Sequence, residues 1–275
     1  MSDGRLSLNQ ETIKQWSLPE LAAGCAKAGV DKVGLWRAPV QAYGVEATAR
    51  LLSDHGLSVT SLCRGGFLTA ADPAGRTRAL DDNRAALDEA AGLATDTLVL
   101  VSGGLPEGSR DLYGARERIA DALAELVPYA AERGVRLAIE PLHPMFAADR
   151  CVVSTLSQAL DLAERFPAEH VGVVVDTYHL WWDDQAPAQI ARAGAGGRIH
   201  SFQLADWITP LPAGVLLGRG QLGDGSVDFR FFRRAVEEAG FDGPIEVEIF
   251  NEALWARNGA EVLAEVAARY TEHAC

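Results

Sequence analysis

Eight times along this chain a short run of β-forming residues gives way to an amphipathic helical stretch, an alternation that specifies a parallel sheet with helical crossovers. The candidate strands are Leu6 to Gln10, Lys32 to Trp36, Ser58 to Cys63, Thr97 to Ser102, Arg136 to Glu140, Val171 to Asp176, Ile199 to Leu204 and Ile245 to Ile249. Helical patterns between and after them include Leu18 to Ala28, Arg76 to Leu93, Ala115 to Arg133, Thr155 to Arg165, Phe229 to Ala239 and Ala260 to Thr271. Ser17 stands where an N-cap is wanted, and Gly29, Gly134 and Gly240 follow helical runs where a left-handed cap closes the turn into the next strand. A length of 275 residues suits one α/β barrel, and 48% hydrophobic content supplies its core. No linker or composition break divides the chain, so one domain over residues 1–275 is expected.

The second half adds chemistry to this frame. Four of the strands carry an oxygen-bearing side chain at or near their C-terminal ends: Glu140, Asp176, Gln203 and Glu248. Side chains alternate across a strand, so register decides where each one points. Leu137 and Ile139 oppose Glu140; Val171, Val173 and Val175 oppose Asp176; Phe202 and Leu204 oppose Gln203; Ile245, Val247 and Ile249 oppose Glu248. The apolar faces are expected against helices and the four oxygens inside one mouth, the end of a parallel barrel where active sites sit.

Three carboxylates and an amide around one point call for a cation. All-oxygen ligation favours a hard divalent ion, with Mn²⁺ expected and Mg²⁺ or Co²⁺ as alternatives. Such an ion would polarise a ketone, and Glu140 or Glu248 could move the neighbouring proton. His143 and His179, each three residues beyond a ligand, are the other candidates for proton transfer. Trp16, Trp36, Arg37, Arg64, Trp181 and Trp207 lie near strand ends or in the same loops and would rim the site. Ile208 to Gly225 is a long connection of the kind that usually serves function. Glu246 faces inward one layer deeper and reads as a barrel-core partner for Arg136.

The segments EPLHP, VVVDTYHLWW, QLADW, LGRGQLGDGSVDF and GPIEVEIF, in this order, resemble the sugar phosphate isomerase/epimerase family of xylose isomerase-like TIM barrels. The resemblance covers essentially the whole barrel and implies a (β/α)8 TIM barrel with a divalent ion held by a glutamate, an aspartate, a histidine and a second glutamate. Glu140, Asp176 and Glu248 match residue for residue, and the two glutamates would form a proton-transfer pair. Gln203 stands at the histidine position, three residues ahead of Asp206, whereas His200 falls on the helix-facing side of its strand. The resemblance also places Arg219 at a position that reaches substrate.

A net charge of −13 and a pI near 4.9 argue against nucleic acid and anionic membranes as partners. The four cysteines are widely spaced and read as reduced thiols, and the polar N-terminus lacks a signal-peptide core, so a cytoplasmic location is expected. The leading expectation is a metal-dependent isomerase or epimerase acting on a ketose or keto-inositol through an enediolate. Two alternatives use the same barrel: a lyase or dehydratase acting on a keto-sugar, and a non-catalytic sugar-binding barrel or subunit. An apurinic endonuclease would need a histidine cluster and a basic surface that the chain does not offer. A homo-oligomer or a partner subunit is consistent with the pattern.

Overall fold

The computed structural model describes residues 3–212 and 214–275, so Met1, Ser2 and Ala213 lie outside the described residues. The barrel strands are β1 (Leu6–Asn9), β2 (Lys32–Trp36), β3 (Ser58–Gly66), β4 (Thr97–Val101), β5 (Arg136–Glu140), β6 (Val171–Asp176) and β7 (Ile199–Leu204). A two-stranded antiparallel ribbon, β8 (Asp206–Trp207) with β9 (Arg219–Gly220), interrupts the sequence before the last barrel strand, β10 (Ile245–Val247). All barrel pairings are parallel, and β10 closes onto β1.

Local chemistry explains the crossovers. The helix Leu18–Ala28 begins with a Ser17–Glu20 capping box, carries proline in its first turn and ends at Gly29 with φ +72°. It buries Leu18, Leu21, Ala22 and Cys25, the spacing of one helical face. Gly134 and Gly240, at φ +66° and +89°, likewise close αβ turns as the sequence requires. The helices Arg37–Tyr43 and Ala186–Ala195 are absent from the sequence-based expectation. The first buries only Val40, and the second is built of small residues, APAQIARAGA, so neither shows a strong apolar period.

Two apolar clusters confirm the registers. Leu137, Ile139, Val171, Val173, Val175, Phe202, Leu204, Ile245, Val247 and Ile249 all join the large core between strands and helices. Cys63, Val99, Ala138 and Val174 form a separate cluster inside the barrel, capped by half-buried Trp36. Beside that plug the interior is polar. Glu246 is buried there and accepts hydrogen bonds from Asn9, Thr60, Ser61 and Gln203 at 2.7–3.2 Å. Gly34 makes room for it, because a Cβ at that position would overlap the carboxylate. Arg136 does not reach Glu246: it sits at the strand start and pairs with Asp96 at 2.8 Å.

The long connection after β7 hangs on Asp206. Its buried carboxylate accepts from the backbone N–H groups of Trp207, Gly223, Gly225 and Val227 at 2.8–3.0 Å. Gly225 approaches the Trp207 carbonyl too closely for any side chain, and Gly223 has φ +91°, so these glycines are turn positions rather than a phosphate loop. These hydrogen bonds anchor the two ends of the connection, whose β9 carries Arg219 to the barrel mouth. No helix among the described residues is long and apolar enough to cross a membrane.

Candidate active site

Asp176 ends β6 and is fully buried; its Oδ1 accepts from the Tyr178 N–H at 2.8 Å and caps the short helix Thr177–Leu180. That turn returns His179 toward the same point, with Nε2 3.7 Å from Asp176 Oδ2 and 4.0 Å from Glu140 Oε1. Glu140 ends β5 and is also buried. One ligand atom from each of Glu140, Asp176 and His179 falls within 4.8 Å of the others. Gln203 pairs in register with Asp176 on one side and Glu246 on the other. Its amide nitrogen donates to Glu246 at 3.2 Å, which leaves Oε1 buried with no donor. Glu248 lies just past β10, accepting from Asn9 at 2.9 Å and from Arg219 at 2.9 Å.

The balance of charge is unfavourable without a cation. Arg219, sandwiched between the Tyr178 and Phe250 rings, bridges Glu248 and Asp176. Three buried carboxylates against one guanidinium leave two negative charges, the amount one divalent ion supplies. Burial pushes the Asp176 carboxyl up to about 6 and that of Glu248 up to about 8. Burial, with the Glu248 and Asp176 charges beside it, raises Glu140 well above the usual carboxylate range. The buried, donorless oxygens of Glu140 and Gln203 fit a cation, because each carries a lone pair that nothing in the protein satisfies.

His179 has a different part. Its Nδ1 accepts from the His143 backbone N–H at 3.1 Å, which favours a proton on Nε2, whereas Arg219 Nη2, a donor only, lies 3.4 Å from Nε2 and favours the other tautomer. Burial, and then the charge of Arg219, lowers its pKa well below 6.5, which keeps the ring neutral near pH 7. Its Nε2 faces the Glu140 and Asp176 carboxylates at the centre of the site.

A cavity of about 270 Å³ opens above this group. Glu140, Glu248, His179, Arg219, Trp36 and Arg64 line it. Other sequence candidates fall elsewhere. The His143 ring stacks between Trp207 and Trp182, at 4.8 and 5.4 Å, and caps the turn Pro144–Phe146. Arg37 pairs with Glu89 and Asp82, Trp207 is buried under Tyr178 and Trp181, and Trp16 packs against Gly24 and Gly259. Trp181 borders a separate surface depression with Trp182. His200 faces outward and bonds the Ala168 carbonyl at 3.0 Å, as its register requires.

The structure adds Asn9, Lys14 and Arg150. Asn9 Nδ2 bridges Glu246 and Glu248, and its Oδ1 accepts from the Trp36 indole at 3.0 Å. Its position at the end of β1, equivalent to that of Glu140 on β5, was the available signal. Lys14 and Arg150 lie in loops whose approach to the cavity no strand register specifies.

The chain is 30% identical over 247 residues to a 3-dehydroshikimate dehydratase of Pseudomonas aeruginosa, covering 87% of this chain and 37% of that protein. It is 27% identical over 146 residues to an inosose isomerase of Bacillus subtilis, covering 52% of this chain and 50% of the relative. The chain thus spans half or less of the length of these two curated relatives. Among solved structures, protein SMc04130 from Sinorhizobium meliloti 1021 superposes with a TM-score of 0.95 at 46% identity, over 98% of both chains. The IOLI protein with a binding zinc atom shares the fold, at TM-score 0.84 and 21% identity over 98% of both chains. A family model for the xylose isomerase-like TIM barrel matches residues 22–266, nearly the whole of the closed barrel described above, and the chain belongs to that family.

Proposed function

We propose that this protein is a divalent-metal-dependent enzyme that removes the proton next to the carbonyl of a small polyhydroxylated ketone and returns it to give an isomer or epimer. The observation that carries this reading is the pair of buried, donorless oxygens on Glu140 and Gln203, set beside Asp176 on adjoining strands. Glu140, Asp176, Gln203 and Glu248 would hold the ion, which would supply Lewis acidity to the substrate carbonyl. Glu248, ionised once an ion is bound, would take the proton from the substrate and return it. Asn9 and Arg219 fix its two oxygens, so the carboxylate keeps one orientation. In its Nε2–H tautomer His179 would donate to a substrate oxygen, and Glu140 would serve the opposite proton transfer.

Dehydration is the second reading, motivated by the dehydratase relative, which matches 87% of this chain. The first step is common to both, the same base taking the same proton; in dehydration the β-hydroxyl then leaves as water with a proton supplied by an acid at the site. The test is proton NMR in D₂O with Mn²⁺-loaded protein and a panel of ketoses and keto-inositols. Exchange of the proton next to the carbonyl, lost in Glu248→Gln, supports the reading, and product mass separates epimerisation from loss of water. If no substrate in the panel shows exchange above the protein-free rate, the proposal fails.

A further inference from the structure

The cations around the cavity are not alike. Arg219 is committed to Glu248 and Asp176, and Lys14 to Glu11 at 2.9 Å and the Trp255 ring. Arg64 and Arg150 line the same cavity, and among the described residues neither guanidinium makes a hydrogen bond or ion pair. Arg64 is half-buried and rests on the Phe67 ring at 4.0 Å. Burial, and the neighbouring charges of Arg150 and Arg37, push its pKa below the usual arginine value. Two like charges held together without an anion are costly. A chain with 38 acidic residues against 25 basic ones could readily have placed a carboxylate between them.

The backbone under both arginines is pinned. The end of β3 is clamped by buried Asn83, which accepts from the Gly66 N–H and donates to the Gly66 carbonyl. The turn carrying Arg150 is tied to the loop after β4 by Leu105 N–H donating to the Ala148 carbonyl at 3.0 Å, and by a bridge between Gly103 and Cys151. Both side chains therefore rise from fixed points on the β3–β5 arc of the mouth, whereas Arg219 and Glu248 come from β9 and the end of β10. The two cations not committed to a carboxylate thus lie on one arc of the cavity, and the cations elsewhere, Lys14 and Arg219, are paired with carboxylates.

We infer that Arg64 and Arg150 form a subsite for a carboxylate carried by the substrate itself, so that the substrate class is a small polyhydroxylated keto acid rather than a neutral ketose. The inference rests on the proposed function for the placement of the ketone. With the carboxylate on the arginine side, the carbonyl end is directed toward Glu140, Gln203 and Glu248. A planar monoanion suits two guanidiniums, which can each give it a charge-assisted hydrogen bond. A phosphate dianion would bring more charge close to Glu140 and Glu248 in a cavity of only about 270 Å³.

The test is calorimetric binding to Mn²⁺-loaded protein of shikimate, its uncharged methyl ester and D-fructose 6-phosphate. Shikimate is expected to bind at least about tenfold more tightly than the ester, the return of one or two charge-assisted hydrogen bonds. Arg64→Gln and Arg150→Gln should each shrink that preference to about threefold or less. Arg37→Gln, outside the cavity, should keep it, and thermal melts would verify that every variant is folded. Equal affinity for acid and ester would overturn the carboxylate subsite while leaving the proton-transfer reading intact. Tighter binding of the phosphate ester than of shikimate would overturn the assignment to a carboxylate. No binding of any of the three would overturn the subsite, and exchange of ketose protons in D₂O would then show whether the proton-transfer reading survives.

Discussion

Glu246 and Glu140 are both buried carboxylates inside one barrel, yet only one of them is satisfied. Glu246, in the deeper layer, accepts from Asn9, Thr60, Ser61 and Gln203. Glu140, at the mouth, has an oxygen with no donor and faces two further carboxylates. The same barrel can satisfy a buried acid with hydrogen bonds, and leaves Glu140 at the mouth without a donor on one oxygen. Under the proposed function this difference is that of a layer which takes a cation and a substrate, at the expense of stability. Gln203 and Asn9 join the layers, each giving a hydrogen bond to Glu246 while Asn9 also holds Glu248.

The largest effect should come from separating chemistry from fold. Glu248→Gln is expected to lower exchange of the substrate proton by about 10³-fold, the usual worth of a general base, with an unchanged thermal melt. The deeper layer should behave in the opposite way. Glu246→Leu leaves the donors of Asn9, Thr60, Ser61 and Gln203 without their acceptor and is expected to cost about 3–5 kcal/mol in urea denaturation. Glu140→Gln, assayed in chelator, should cost nothing or add up to about 1 kcal/mol, since it removes a carboxyl that folding must either protonate or bury as a charge. If the two substitutions destabilise equally, the distinction between the layers is lost.

Adding a divalent ion should erase the penalty at the mouth. At a hundred times its dissociation constant an ion that binds only the folded state stabilises by about 2.7 kcal/mol, visible as a raised melting temperature in wild type and absent in Asp176→Asn.

The smallest effect lies outside both layers. Burial holds His200 at a pKa of about 4, so the folded protein keeps it neutral while the unfolded chain takes up a proton below about pH 6.5. Its contribution is complete above that value and lost as pH falls toward 4. Between pH 6.5 and 5.5 wild type should lose about 1 kcal/mol that His200→Gln retains, measured by denaturant titration at each pH.

What the sequence made legible was what period and register control. The eight barrel strands follow their expected positions to within a few residues, and the inward set separates cleanly from the outward set. The oxygens at the strand ends gather at one mouth for the same reason. Contacts made by loops and long side chains were not legible. Arg37 leaves a strand end beside Arg64, but its length lets it reach Glu89 and Asp82 on a neighbouring helix. His143 occupies a ligand-like spacing, yet the turn at Pro144 swings its ring into the tryptophans while its backbone supports His179. Arg136 was matched to Glu246 by face alone, and its place at the strand start puts it beside Asp96 instead. Arg150 became visible only once the turn was tied to the loop after β4.

We propose that the upper layer is a cation site that holds proton on Glu248 and Glu140 when it is empty and gives proton up when an ion binds. Calorimetric titration of chelator-stripped protein with Mn²⁺ at pH 7, in two buffers of different ionisation enthalpy, measures both binding and proton release. The account predicts one ion per chain with release of at least part of a proton, because Glu248 sits at about 8 and Glu140 is also raised, and loss of both signals in Asp176→Asn. Absence of binding by Mn²⁺, Mg²⁺, Co²⁺ and Zn²⁺, or binding without proton release that survives in Asp176→Asn, would contradict it.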